Sequence, residues 1–159
     1  MPLSNKQEKK SATERCGSMP VSDITLITRP PEAKAFADLR ETAGWNNPAM
    51  AVIQKSIENS LFWVCLYSEE TLIGCGRLIG DGAMYFYLQD VIVHPAFQEL
   101  GLGARIMESI NGYIAEHCAA GSTAGLLAAK GKEGFYAKYG FTERNGEPLG
   151  HGMSRFITD

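Results

Sequence analysis

Cysteine and histidine are scarce, and the few present show no ligand spacing. Cys16, Cys65, Cys75 and Cys118 form no Cys-x-x-Cys pair, and His94, His117 and His151 stand apart. Neither a zinc site nor a disulfide framework is expected, so no metal is assigned, and free thiols in a reducing compartment account for the cysteines. Long apolar runs are missing too; none approaches the ~20 residues that cross a bilayer. Residues 1–20 lack the apolar segment of a signal peptide, and Glu8 and Glu14 argue against a transit peptide. A cytoplasmic protein without a membrane partner is therefore expected. A net charge of −3 gives no reason to expect nucleic acid. Two phosphate-binding signatures are absent as well: no Gly-Lys-Ser/Thr follows a glycine-rich loop, and Ile106 stands where a dinucleotide fingerprint needs its third glycine.

What is present suffices for one core. With 159 residues, 45% of them hydrophobic, a single domain is the natural expectation. Residues 1–21 are polar and aperiodic, with Lys6, Lys9, Lys10 and Arg15 among serines, and read as a disordered tail in which Met19 is an alternative start. Residues 22–159 then form the folded unit. A strand is expected over Ile24–Thr28, and Pro30-Pro31-Glu32 suits the first turn of a helix that Gly44 stops. Asn47 before Pro48 reads as the N-cap of a second helix running to about Glu58. Leu61–Tyr67, Leu72–Ile79 and Tyr85–Val93 form a three-stranded meander turned at Glu69-Glu70 and Asp81-Gly82. Further strands are expected over Gly125–Ala129, Phe141–Arg144 and Met153–Ile157, with a short helix over Glu133–Tyr139 that Gly140 caps.

The chain is organised around residues 94–103, His-Pro-Ala-Phe-Gln-Glu-Leu-Gly-Leu-Gly. They leave the Tyr85–Val93 strand and enter a helix whose apolar residues Ile106, Met107, Ile110, Tyr113 and Ile114 recur at helical spacing. A glycine-rich loop at a helix N-terminus presents free N–H groups and the positive end of the helix dipole, which suits an anion. Its Gln-x-x-Gly-x-Gly spacing resembles the pyrophosphate loop, motif A, of the GNAT superfamily of acyl-CoA-dependent N-acetyltransferases. Phe135-Tyr136-Ala137-Lys138-Tyr139-Gly140-Phe141 is similar to the Phe-Tyr-x-x-x-Gly-Phe segment of that family's motif B. The order of elements agrees over about Ile24–Asp159. The resemblance implies an α+β GNAT fold, with a central mixed, mostly antiparallel twisted sheet of six to seven strands flanked by about four helices.

It also implies acetyl-CoA as co-substrate. Backbone groups of Val91, Ile92 and Val93 would pair with the pantetheine arm as an added strand, and Gln98, Glu99, Leu100, Gly101, Leu102, Gly103 and Ala104 would hold the pyrophosphate. Gln98 and Arg105 are candidates to neutralise phosphate. Tyr136 would protonate the leaving thiolate, and a strand N–H near Val91 would stabilise the oxyanion. The attacking amine must be neutral, and Asp90 is the candidate base: a carboxylate in an apolar strand is costly unless it has a task or a partner. Some family members place a Glu base three residues earlier, where this chain has Tyr87, so a water relay stays open. Trp45, Asn46, Phe62, Met84, Tyr85 and Tyr87 are candidate lining of an acceptor cleft, and Glu41 or Asp81 could attract a cation. The expected activity is acetyl transfer to a primary amine of a small molecule by direct attack in a ternary complex. Acetylation of a protein N-terminus or lysine, and a non-catalytic acetyl-CoA sensor, are the alternatives. A homodimer is left open.

Overall fold

The computed structural model describes residues 23–158, so the tail expected over residues 1–21, with Met19 and Cys16, lies outside the described residues. In chain order the elements are β1 (Ile24–Ile27), α1 (Ala33–Thr42), α2 (Met50–Glu58), β2 (Phe62–Ser68), β3 (Thr71–Gly80), β4 (Tyr85–Val93), α3 (Leu102–His117), β5 (Thr123–Gly125) and α4 (Glu133–Ala137). A single 3-10 turn, Pro95–Phe97, leaves β4. The strands stand in the order β1-β2-β3-β4-β5; the first four are antiparallel and β5 runs parallel to β4.

Each face of the sheet carries its own apolar cluster. Alternation in β2 sends Val64 and Leu66 to one face; Leu78 of β3, and Ile73 at the register shift opposite Leu66 and Tyr67, join them there, where α3 covers them with Leu102, Ile106, Met107 and Ile110. Trp63, Cys65 and Cys75 go to the other face, under Phe36 and Leu39 of α1 and Ile53 and Ile57 of α2. α3 lies close to the sheet because Gly76 has no side chain: a Cβ there would sit 2.7 Å from Cγ2 of Ile106. Loss of any of these large side chains costs about 2–5 kcal/mol.

Two sequence expectations are corrected. α2 begins at Met50 with Ala49 as N-cap, not at Asn47. The Asn47 side chain turns back to α1, donating to the carbonyl of Ala37 at 2.9 Å and accepting from Arg40 Nε at 2.9 Å. The sheet has five strands rather than six to seven; β5 starts two residues early and ends at Gly125, and neither Phe141–Arg144 nor Met153–Ile157 is a strand. Gly146, Pro148, Gly150 and Gly152 interrupt any ladder over that segment, and a three-residue β5 gives it little edge to pair with. Met153, Phe156 and Ile157 are accordingly exposed. The mixed, mostly antiparallel sheet with four helices keeps the expected class. Among the described residues no helix is long and apolar enough to cross a membrane.

Candidate functional site

β4 and β5 pair only from Tyr85↔Thr123 to Tyr87↔Gly125 and then separate. The gap is a cavity of about 770 Å³, walled by Leu88–Val91 and Val93 on one side and Leu126–Ala129 on the other. α4 closes it with Phe135 and Tyr136, and the loop from Phe97 to Ala104 lies at its other end. A second cavity of about 640 Å³ lies beyond β5 and shares Leu126, Leu127, Tyr136 and Tyr139 with the first.

The loop end exposes unpaired backbone donors. Gly101 is the N-cap of α3 at φ +74°, a conformation in which glycine carries no steric cost. No side chain caps the helix and its first turn holds no acid, so the N-terminal N–H groups and the dipole are uncompensated. Phe135 sits on this turn: a Cβ on Gly103 would lie 3.2 Å from Phe135 Cζ. Gln98, Glu99, Gly101, Leu102, Gly103 and Ala104 border the cavity, whereas Leu100 turns to solvent. Gln98 donates to the Val93 carbonyl at 3.2 Å and braces the loop. Arg105 is corrected as a phosphate partner, because it reaches away to the Ile24 carbonyl at 3.3 Å.

β4 carries a bulge at this site. Cys75 pairs with Ile92 and Arg77 with Gln89, so Asp90 and Val91 together oppose Gly76, and Asp90 adopts φ +53°. The bulge reverses the alternation: Leu88 belongs to the α3 cluster but Ile92 to the α1 and α2 cluster. Asp90 is thereby carried to the face of the arginines. Arg40 Nη1 donates to its Oδ1 and Arg77 Nε to its Oδ2 at 2.7 Å, and the carboxylate is fully buried. Arg77 Nη1 is held further by the hydroxyls of Ser56 at 2.8 Å and Ser60 at 3.0 Å, and its guanidinium lies over the Phe36 and Trp63 rings. Arg40 also donates to the Asn46 carbonyl and lies 5.4 Å from the Trp45 ring centroid. The candidate base thus has both oxygens engaged by guanidinium groups and its side chain closed from solvent. Val91 and Val93 border the cavity, while Ile92 is buried away from it.

Tyr136 borders the cavity half-buried, and burial raises its phenol above the usual value. The Tyr87 phenol is also raised by burial, partly offset by a hydrogen bond from the Leu127 backbone. Of the candidate acceptor residues, Trp45 borders the cavity. Phe62 stacks on Tyr113 of α3 at 4.4 Å between centroids, and Met84 and Tyr85 lie exposed outside the lining. Asp81 is a turn residue whose Oδ1 accepts from Tyr85, Ala83 and Met84, which lowers its pKa from the ordinary carboxylate value. Lys132 and Lys138, at the two ends of α4, border the cavity and escaped the sequence reading, because a lysine beside an aromatic motif reads as a solvated charge. Among the described residues no group of His, Cys, Asp and Glu could hold a metal.

Residues 58–143 match the family model for the acetyltransferase (GNAT) domain. A protein of unknown function from meticillin-resistant Staphylococcus aureus, described as a probable acetyltransferase, is 31% identical; its structure superposes with a TM-score of 0.77 over 84% of this chain and 99% of that one. The N-acetyltransferase ycf52-like of Prochlorococcus marinus, itself uncharacterized, is 30% identical over 76 residues, 45% of this chain and 42% of that protein. The curated relatives are thus matched over about half of their length, 42% to 60%. N-acetylglutamate synthase from Neisseria gonorrhoeae, solved with coenzyme A and L-arginine, shares the fold at 17% identity and a TM-score of 0.62, over 79% of this chain and 29% of that one.

Proposed function

We propose, on the premise that this chain belongs to the GNAT acetyltransferase family, that it transfers the acetyl group of acetyl-CoA to a primary amine of a small molecule in the cytoplasm. The observation that carries this is the cavity where β4 leaves β5, with the uncapped α3 N-terminus at one end and Tyr136 on its wall. The first-turn N–H groups of α3 take the pyrophosphate, and the freed edge of β4 at Val91 and Val93 takes the pantetheine amides as a strand would. That the Neisseria enzyme of the same fold was solved with coenzyme A supports the choice of ligand.

In this mechanism the amine attacks the thioester carbonyl directly, the oxyanion receives the N–H of Val91, Tyr136 gives its proton to the departing thiolate as the C–S bond breaks, and the proton shed by the nitrogen as the amide forms restores the phenol. Bringing an alkylamine from a pKa near ~10.4 to neutrality at pH 7 costs about 4–5 kcal/mol. Asp90 serves that step indirectly: held by two arginines, it fixes the bulge that aims the Val91 N–H, and water takes the proton. The experiment is release of the CoA thiol across a panel of small amines and peptides. Turnover on a small amine supports the proposal. Turnover on peptides alone would replace it with protein acetylation, and acetyl-CoA binding with no turnover would replace it with a sensor.

A further inference from the structure

We propose that Lys138, assisted by Lys132, recognises the 3'-phosphate of coenzyme A and makes this cleft select the full cofactor over its dephosphorylated form. The inference rests on coenzyme A binding in the β4–β5 cleft as set out above. Three anionic phosphate groups must then be placed, and the α3 N-terminus, with its few free N–H groups, addresses the pyrophosphate alone. The ribose 3'-phosphate is a monoester carrying about −1.5 to −2 charge at pH 7 and needs its own cation.

The charge inventory of the cleft leaves two cations for it. Arg40 and Arg77 are committed to Asp90, and Arg105 to the Ile24 carbonyl. Lys132 and Lys138 are the basic side chains in the lining, both exposed, and the ion pairs formed among the described residues involve neither. Their placement is set by packing. Phe135 rests on Gly103 of the loop, and the two lysines are the residues that cap α4 on either side of it and border the same cavity as the loop. A lysine ammonium on a flexible stem suits a terminal phosphate that presents oxygens in all directions. Glu99, on the same rim, is the one acid there not already paired with arginine. Against one Glu99 carboxylate, the two ammoniums leave the rim net positive.

The test is calorimetric titration of the full chain with coenzyme A and with dephospho-coenzyme A at low salt. The wild type is expected to prefer coenzyme A by about ten- to a hundredfold, the range of a charge-assisted contact. Lys138→Ala should bring that ratio close to one by weakening coenzyme A while leaving dephospho-coenzyme A as it was, and Lys138→Arg should retain most of it. Lys132→Ala should have the smaller effect of the same kind. Equal affinities in the wild type, or a ratio that survives removal of both lysines, would overturn the assignment. Equal loss of both ligands in Lys138→Ala would overturn it too, since that marks a structural role. If neither ligand binds the wild type, the cleft itself is misassigned and this inference falls with it.

Discussion

Asp90 concentrates two roles that a carboxylate cannot fill together. A general base needs a free lone pair facing the substrate, whereas both Asp90 oxygens are held by guanidinium groups and the side chain is closed from solvent. Asp90→Asn keeps the shape but leaves Arg40 and Arg77 with unbalanced charge in a buried setting, a defect that costs about 3–5 kcal/mol. We therefore expect a large fall in melting temperature together with a fall in kcat that alkaline pH does not restore. A variant of unchanged stability whose turnover recovers at high pH would make Asp90 the base. The thiols give a second residue-scale prediction. Burial pushes the Cys65 thiol up to about 12 and the Cys75 thiol well above its usual value, so both stay protonated and unreactive in the native state. Among the described thiols, half-buried Cys118 should react first with a thiol reagent, and Cys65 and Cys75 only on unfolding. Because the unfolded thiols ionise near their ordinary value of 9.0, their contribution to stability is constant below that pH and declines as pH rises through it toward 12.

At the scale of elements, the loop between β4 and α3 was legible in the chain, and the bulge within β4 was not. A run of β-branched and aromatic residues, two glycines and a 3.6-period apolar stripe each leave a pattern in one dimension, and they located the strand, the loop and the start of the helix. Leu88, Asp90 and Ile92 alternate just as they would in a regular strand. Nothing local announces that Asp90 takes a left-handed conformation and exchanges the two faces beyond it; that is decided by Arg77 on β3 and Arg40 on α1, neither a neighbour in sequence. The missing late strands failed for the opposite reason, since isolated apolar residues among glycines look like short strands but lack an edge to pair with. Two substitutions probe the loop and the helix it starts. Gly103→Asp should press a carboxylate against Phe135 and into the phosphate position, weakening acetyl-CoA severely while the fold survives; wild-type affinity in the folded variant would remove the loop from the site. Gly76→Val should lower stability by about 1–3 kcal/mol through its clash with Ile106, and denaturant unfolding would show it as a shifted midpoint at constant slope.

Across the whole molecule, the cleft divides two parts of unequal support. β2 and β3 are buried between α3 on one face and α1 and α2 on the other, whereas β5 is joined to the sheet through three residue pairs at one end of β4. Elements with few buried contacts and short ladders open at low free energy, so β5 and α4 should exchange their amide hydrogens much faster than β2 and β3. A ligand lying along Val91 and Val93, with its phosphates at α3 and its thioester beside Tyr136, touches both parts and ties the weaker to the stronger. At a hundred times its Kd such a ligand stabilises the native state by about 2.7 kcal/mol. For a chain of this size that raises Tm by roughly 5–10 °C. Exchange measured with and without acetyl-CoA should then show new protection over residues 98–104, 123–129 and 132–139 and little change in β2 and β3, which are already slow. Protection confined to α1 and α2 would mean that the ligand sits under those helices rather than in the β4–β5 cleft, and both the loop and Tyr136 would lose their assigned contacts.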